Sequence, residues 1–327
     1  MARNVQIKGI KMICCLTAGM FLCGCSGRAA KLEHPYSFEE REFPIEAEET
    51  EREHEALFAS DLCVVNDEGE FNPADTTSEA AALFDISGQQ VLYSKNAFEQ
   101  LYPASITKVM TLLLAVKYGN LSDSVTVTEE AMITEAGATL AGLKPGDTFT
   151  LEQLLYGLML PSGNDAGSAI AIHMAGSIEA FADMMNEEAQ KLGATGTHFM
   201  NPHGLTDENH YTTAYDLYLI FNEALKYQKF RDVTRATAYT ANYVDGAGSQ
   251  MTKTWEGGNW YMVGQRETPE GLVVFSGKTG TTQAAGYCLI MASRDQENKE
   301  YISVVLKAPS RPGLYDNMTK IITKIVD

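Results

Sequence analysis

Residues 103–108 read PASITK and contain the first of three motifs on which the fold assignment depends. Ser105 and Lys108 are three positions apart, and residues at i and i+3 share one face of a helix. Apolar residues at helical spacing predict that this helix continues to Tyr118. Its N-terminus favours developing negative charge, so a serine beside a lysine amine can serve there as nucleophile and base. Ser-x-x-Lys alone is weak evidence, because an ordinary helix cap with a solvated lysine has the same spacing.

Two further motifs carry polar groups that suit the same chemistry. Ser162 and Asn164 stand in the loop PSGND, residues 161–165, where a hydroxyl and an amide can relay a proton and hold a carbonyl. Residues 276–281, SGKTGT, follow a β-rich run and place a lysine and a hydroxyl along a strand edge. Gly280 leaves room there for a second backbone. Ser-Gly-Asn is ordinary turn chemistry by itself, so the order of the three motifs is what is specific.

In this order the motifs resemble those of the penicillin-binding proteins and serine β-lactamases. The surrounding residues are similar to the D-alanyl-D-alanine carboxypeptidases of the low-molecular-mass penicillin-binding class, from about Leu57 to the C-terminus. The similarity is carried by residues 102–105, 160–166, 197–199, 201–205, 278–281 and 285–287. It implies an α/β (α+β) fold, in which an antiparallel sheet of about five strands is flanked by helices. An all-helical region would lie alongside, with the site in the cleft between.

The resemblance also implies an activity, which is removal of the terminal D-alanine from peptidoglycan stem peptides through an acyl-enzyme on Ser105. Lys108 would take the serine proton, and Ser162 would pass a proton to the leaving D-alanine. The backbone N–H groups of Ser105 and Thr281 would form the oxyanion hole. β-Lactam antibiotics are expected to acylate the same serine and to remain bound.

The same resemblance implies which residues bind the substrate. Asn164 would hold the peptide amide. The terminal carboxylate would face the Lys-Thr-Gly strand, comprising Lys278, Thr279, Gly280 and Thr281. Arg311 is a further candidate, although the turn at 309–313 does not align cleanly and a plain surface arginine fits equally well.

Three alternatives stay open at this point. One is a D,D-endopeptidase or transpeptidase of the same fold, which differs only in the leaving group or acceptor that the cleft admits. Another is a class A-like β-lactamase, but residues 198–203 lack the glutamate that activates the deacylating water in those enzymes. The third is a non-catalytic, penicillin-sensing lipoprotein, which would not need two serines and a lysine intact.

No metal or other cofactor is expected. His198, His203 and His210 are the residues to consider for a zinc site, but their spacing matches no helical i, i+4 pair and no cysteine pair accompanies them. His203 stands in a Pro-His-Gly-Leu stretch that the serine family also carries, which favours a structural role.

The first residues have the pattern of an export signal. Residues 1–24 contain three cations and no acid, and the apolar run from Met12 to Leu22 is shorter than the ~20 residues that cross a bilayer. The following LCGC resembles a bacterial lipobox, which predicts lipidation of Cys25 and anchoring to the outer face of the cytoplasmic membrane. An ordinary signal or an uncleaved anchor is the alternative. Residues 25–56 are acidic and predict an extended tether, which leaves 57–327 as the catalytic domain.

Composition excludes some partners. The chain has 327 residues, a net charge of −18 and 45% hydrophobic residues, which is the balance of a folded protein with a core. Nucleic acid is not expected as a partner, because its phosphates need clustered cations. Cys63 and Cys288 are the two cysteines outside the signal region, and they are too far apart in sequence to indicate a disulfide framework. Both are predicted to be small, buried apolar residues.

Apolar spacing predicts one sheet built from both chain ends, with a helical insert between. The predicted strands are 78–84, 90–93, 272–276, 287–292 and 301–306. The predicted helices are 105–118, 150–160, 165–175, 177–192, 213–227 and 317–326, the second opened by a capping box at Thr150 and Gln153.

Overall fold

The computed structural model describes residues 60–65 and 71–326. The predicted signal sequence, the lipidation site Cys25 and the acidic tether lie outside the described residues and stay predictions. Within the described part of the chain, no helix combines the length and apolar character needed to cross a membrane. The strands are β1 Ala80–Asp85, β2 Gln90–Lys95, β3 Ser124–Thr126, β4 Thr148–Thr150, β5 Ala238–Val244, β6 Gln250–Glu256, β7 Val273–Thr282, β8 Gly286–Arg294 and β9 Glu300–Ala308. The α-helices are α1 Lys108–Tyr118, α2 Leu151–Met159, α3 Asn164–Ala175, α4 Ile178–Lys191, α5 Ala214–Ala224, α6 Gln228–Arg235 and α7 Arg311–Thr323.

A five-stranded antiparallel sheet joins the two ends of the described chain, as predicted. Its order is β2-β1-β9-β8-β7, so that β1 from the first part of the domain pairs with β9 from the last. The three C-terminal strands form a meander that leaves β7 at one edge. The predicted fold class is thereby confirmed, and the Lys-Thr-Gly motif lies on an edge strand.

Side chains alternate between the two faces of this sheet, and each face has its own apolar core. Along β1, Ala81 and Leu83 pack with Leu314 and Met318 of α7. Ala80, Ala82 and Phe84 belong to the larger core on the opposite face, which includes α1 and α5. This period of two is what a strand covered by helices on both sides requires.

The second part of the domain is not all-helical, and the prediction was wrong on this point. Helices α2, α3, α4 and α6 are accompanied by a four-stranded antiparallel sheet of order β3-β4-β5-β6. Two of its strands have only three residues. Most residues of β6 are exposed, whereas β5 alternates exposed residues with the buried Ala241 and Tyr243. A stacked aromatic pair joins it to α2: Tyr239 of β5 lies on Tyr156, with ring centroids 3.8 Å apart.

Several local predictions are confirmed, and one boundary is corrected. Thr150 and Gln153 form the predicted capping box of α2. The last helix begins at Arg311, not at 317, because Ser310 caps it and Pro312 is tolerated in a first turn. Both Cys63 and Cys288 are buried and free, and burial raises their thiol pKa values to about 11 and about 12.

Candidate active site

Ser105 lies in a 3-10 turn, Ala104–Thr107, that runs directly into α1. Ala104 holds a positive φ of 48°, a conformation that costs a non-glycine residue on the order of 1 kcal/mol. The Thr107 hydroxyl donates to the Ala104 carbonyl at 2.8 Å and also contacts His210 Nε2 at 2.8 Å. The turn that carries the serine is therefore fixed from inside the fold.

The Lys108 amine is fully buried and contacts three oxygen atoms. Its Nζ lies 3.0 Å from Ser105 Oγ, 2.7 Å from Asn164 Oδ1 and 2.7 Å from the His203 carbonyl oxygen. The amide and carbonyl oxygens can only accept, and a neutral amine has two N–H groups and one lone pair. If the two N–H groups go to Asn164 and His203, the lone pair is left for the hydroxyl of Ser105.

The surroundings of Lys108 favour this neutral form. Burial lowers the pKa of Lys108 well below its usual value, and the charge of Lys278 lowers it further, against a smaller opposing effect from Asp165. Asp165 itself accepts the backbone N–H groups of residues 141–143 at 2.7 to 2.9 Å. Its carboxylate therefore serves mainly to hold that loop against the start of α3.

Ser162 and Lys278 form a second hydroxyl–amine pair facing the first. Lys278 Nζ donates to Ser162 Oγ at 2.9 Å and to the Thr279 carbonyl at 2.8 Å. Ser162 has a positive φ of 62° at the sharp turn into α3. Burial lowers the pKa of Lys278 to about 7, so this amine can be charged or neutral near neutral pH.

Two glycines let separate chain segments approach the serine turn. A Cβ on Gly280 would lie 2.9 Å from both the Pro103 carbonyl oxygen and the Ser105 backbone nitrogen. A Cβ on Gly204, at φ +88°, would lie 1.8 Å from the Ala104 carbonyl oxygen. Strand β7 and the loop carrying His203 therefore both touch the backbone of this turn, which brings the Lys-Thr-Gly strand beside Ser105.

Two cavities open on either side of Ser105. The smaller, of about 210 Å³, is bordered by Ser162, Lys278, Thr279, Gly280, Thr281 and Arg311. The larger, of about 490 Å³, is bordered by Asn164, Thr281 and the segments 135–139 and 203–206. All the predicted site residues of the three motifs thus meet at one cleft. The sequence allowed Arg311 to be either a substrate contact or an ordinary surface arginine. In the structure it is exposed at the rim of the smaller cavity.

The three histidines have separate contacts. Burial lowers the pKa of His203 to about 3 and of His210 to about 4, so both are neutral. His198 Nδ1 contacts the Asn209 carbonyl oxygen at 2.6 Å. Among the described residues, no group of three or more His, Cys, Asp and Glu side chains is arranged to hold a metal ion.

Sequence reasoning missed three residues that shape the site: Thr107, Asp165 and His210. Thr107 and Asp165 stand inside motifs that were singled out, but nothing in their spacing shows what their side chains contact. His210 was weighed only as a metal ligand. Its contact with Thr107 joins residues 103 positions apart and depends on tertiary structure.

Comparison with known sequences gives one consistent family. The sequence model of the D-alanyl-D-alanine carboxypeptidase family matches residues 67–310. The D-alanyl-D-alanine carboxypeptidase DacF of Bacillus subtilis is 36% identical over 250 residues, covering 75% of this chain and 61% of that protein. The D-alanyl-D-alanine carboxypeptidase of Streptomyces sp. K15 is 34% identical over 242 residues, covering 71% of this chain and 81% of that protein. The chain spans about three fifths of the length of DacF and of the Escherichia coli relative DacC.

Solved structures agree with this similarity. The Streptomyces K15 DD-transpeptidase has a TM-score of 0.71 at 32% identity, covering 76% of this chain and 97% of that one. A D-alanyl-D-alanine carboxypeptidase from Mycobacterium tuberculosis has a TM-score of 0.67 at 26% identity, covering 77% and 91%.

Proposed function

The chain belongs to the D-alanyl-D-alanine carboxypeptidase family, and from this premise we propose that it is a serine hydrolase that releases the terminal D-alanine from peptidoglycan stem peptides. One observation carries the proposal: the buried Lys108 amine lies 3.0 Å from Ser105 Oγ, with its other two contacts to atoms that can only accept. An amine held in this way is a base directed at one hydroxyl.

Acylation follows from this geometry. Lys108 accepts the proton of Ser105 while Oγ attacks the carbonyl carbon of the bond between the two D-alanines, which forms the tetrahedral intermediate. The developing oxyanion is assigned to the backbone N–H groups of Ser105 and Thr281. The contact of Gly280 with the backbone at Ser105 supports this, because it brings the two segments together. Such preorganised donors are commonly the largest contribution to acyl-transfer catalysis.

The leaving group is assigned to the smaller cavity. Ser162, bonded to Lys278 at 2.9 Å, donates a proton to the nitrogen of the departing D-alanine. The proton that Lys108 took from Ser105 then restores the Ser162 hydroxyl, which leaves Lys108 neutral. Lys278, Thr279 and Arg311 border this cavity and are proposed to bind the terminal carboxylate. Asn164, whose Oδ1 accepts from Lys108, is proposed to hold the substrate amide. Water then hydrolyses the ester on Ser105, with Lys108 as the base.

Penicillin is proposed to acylate the same serine. Residues 198–206, which include the loop that touches the serine turn, contain no carboxylate, so nothing there activates a deacylating water. This favours a carboxypeptidase over a β-lactamase. The intact pair of Ser105 and Lys108, with the second pair of Ser162 and Lys278, favours an enzyme over a penicillin sensor.

A direct experiment tests the proposal. A pentapeptide ending in D-Ala-D-Ala is incubated with the protein, released D-alanine is measured, and intact mass is followed after addition of penicillin. D-alanine release and a mass increase of one penicillin, both lost in Ser105→Ala, support the proposal. Absence of D-alanine release by a folded, penicillin-reactive protein would contradict it.

A transpeptidase is the second candidate, because the similar solved structure from Streptomyces K15 is described as a DD-transpeptidase. The same acyl-enzyme would then pass to an amine rather than to water. Adding an amino acid acceptor to the pentapeptide reaction separates the two: a carboxypeptidase yields mainly the tetrapeptide, and a transpeptidase yields mainly the peptide extended by the acceptor.

A lipid anchor is proposed for the exported protein on the LCGC sequence at residues 22–25. Lipidation of Cys25 would hold the catalytic domain at the outer face of the cytoplasmic membrane, where peptidoglycan is assembled. Cys25→Ser should release the protein from the membrane fraction or leave the precursor uncleaved. A mature N-terminus mapped by mass spectrometry to another residue would contradict the assignment.

A further inference from the structure

The loop of residues 139–143 packs against the Ser-x-Asn turn. The Thr139 hydroxyl donates to the Ser162 carbonyl at 2.8 Å. A Cβ on Gly163 would lie 2.6 Å from the Ala141 Cβ and 2.7 Å from its nitrogen, so the loop directly covers the turn. Ser162 has a positive φ of 62°, a conformation that persists only where neighbouring contacts impose it. The position of the Ser162 hydroxyl therefore depends on where this loop lies.

Strand β6 donates hydrogen bonds to the carbonyl groups of this loop. The indole Nε1 of Trp255 donates to the Ala141 carbonyl at 2.8 Å, and the Lys253 amine donates to the Gly142 carbonyl. The N–H groups of the same two loop residues are bonded to the Asp165 carboxylate, at 2.7 and 2.8 Å. Both residues thus have their N–H and their carbonyl bonded, which leaves this part of the loop little freedom to shift.

Trp255 is the main point at which β6 is attached to the rest of the domain. Among the described residues of β6 it alone is buried, and β6 is an edge strand of the smaller sheet that pairs with β5. The chain continues from β6 directly to Gly257 and Gly258, which border the smaller cavity. The indole therefore connects the loop that packs on Ser162 with the segment that lines the cavity assigned to the leaving group.

We infer that Trp255 is a positioning residue for Ser162, acting through its hydrogen bond to Ala141 and the packing of the 139–143 loop on the Ser-x-Asn turn. The inference rests on the proposed function, in which Ser162 gives a proton to the nitrogen of the departing D-alanine. Loss of the indole N–H frees the Ala141 carbonyl, so the loop shifts and the Ser162 hydroxyl is displaced from the leaving nitrogen. A displacement of about 0.3 to 0.5 Å is expected to slow this step roughly four- to tenfold.

Trp255→Phe tests the inference, because it removes the N–H and keeps an aromatic ring. A pentapeptide ending in D-Ala-D-Ala is compared with its thioester counterpart, in which D-thiolactate replaces the terminal D-alanine. Both have the same terminal carboxylate, but an amine must be protonated as it leaves, whereas a thiolate leaves with the bonding electron pair and needs no proton. The value of kcat/KM should fall about four- to tenfold for the peptide and stay within about twofold of wild type for the thioester.

Trp260→Phe is the matched control, because it removes the indole N–H of the protein's other tryptophan. Trp260 stacks on Tyr315 of α7, with ring centroids 4.5 Å apart, and borders neither cavity. This variant should cleave both substrates like the wild-type protein, and thermal unfolding of each variant is measured alongside. If Trp255→Phe does not fold, Lys253→Met removes the adjacent donor to Gly142 and should give the same selective loss for the peptide; an unchanged peptide rate there overturns the inference.

The outcomes separate this inference from the proposed function. An equal fall in kcat/KM for both substrates in Trp255→Phe indicates a general loss of structure and overturns the inference, as does a peptide rate within about twofold of wild type. The carboxypeptidase activity stands in both cases. Selective loss of peptide cleavage in Trp260→Phe as well overturns the assignment to Trp255. Failure of the wild-type protein to release D-alanine from the peptide overturns the proposed function, and the inference with it.

Discussion

Gly280→Ala tests whether close approach of β7 positions the nucleophile. The added Cβ would lie 2.9 Å from the Pro103 carbonyl oxygen, 2.9 Å from the Ser105 nitrogen and 3.1 Å from the Ile106 nitrogen. Ordinary contact begins at 3.4 Å, so the strand and the serine turn must separate by about 0.5 Å. All three neighbours are backbone atoms and cannot move aside as a flexible side chain can.

The expected loss follows from this displacement. A misplacement of about 1 Å costs on the order of 10²-fold in rate, so about 0.5 Å should slow acylation roughly tenfold. Overpacking of this kind costs about 1–3 kcal/mol of stability, or a fall in Tm of about 3 to 9 °C. The rate loss arises because the two N–H groups assigned to the oxyanion hole sit on the segments being forced apart.

Single-turnover acylation by a fluorescent penicillin measures the rate, and thermal unfolding of the same preparations measures stability. Gly258→Ala is the control, because Gly258 borders the same cavity and an added Cβ there meets nothing within 4 Å. It should acylate like the wild-type protein. If Gly280→Ala acylates within about twofold of wild type, the close approach does not position Ser105 and the reasoning is wrong.

Three further predictions concern the two lysines and the fate of the acyl-enzyme. Lys108→Met removes the proposed base but keeps a side chain of similar length. It should lower the acylation rate by about 10²–10⁴-fold while circular dichroism shows an intact fold. A rate near wild type would exclude Lys108 as the base. An unfolded lysine titrates near 10.4, whereas the pKa of Lys278 is lowered to about 7. Between these values the unfolded state binds more protons, so Lys278 makes the free energy of unfolding rise with pH, by up to about 1.4 kcal/mol per pH unit. Urea unfolding at pH 7, 8 and 9 should therefore give a shallower dependence for Lys278→Met, and equal slopes would contradict the assigned shift. The penicillin adduct on Ser105 should persist for minutes or longer while D-alanine release turns over, and rapid loss of the adduct without D-alanine release would identify a β-lactamase.

The main sheet could be predicted because its strands are short apolar runs with clear boundaries. The runs at 287–292 and 301–306 lie within strands β8 and β9. The sheet of the second region could not be predicted in this way. Strand β6 buries only Trp255 and β5 only Ala241 and Tyr243, so neither has an apolar run. In β5, Tyr239 stacks on Tyr156 of α2, and in β6 the buried Trp255 donates to the Ala141 carbonyl. Both contacts depend on tertiary structure.

The site was predictable in its residue types but not in its electrostatics. The order of the three motifs, with their resemblance to those of the penicillin-binding proteins, predicts that Ser105, Lys108, Ser162 and Lys278 share one site. A lowered pKa for Lys108, in contrast, requires burial, and its burial depends on the His203 loop, which lies 95 positions along the chain.

Backbone strain beside the reactive groups is a feature that residue types alone do not indicate. Ala104 and Ser162 both have positive φ, at 48° and 62°, and neither is a glycine. Each such residue lowers the stability of the fold by on the order of 1–3 kcal/mol, and it keeps this conformation only where neighbouring contacts hold it in place. Around Ala104 those surroundings are Gly204, whose missing Cβ admits the Ala104 carbonyl, and the Thr107 hydroxyl that donates to the same oxygen. Both of these residues lie in turns that present a hydroxyl to a lysine amine, so the stability lost there is the cost of holding each serine in reach of its partner before substrate arrives.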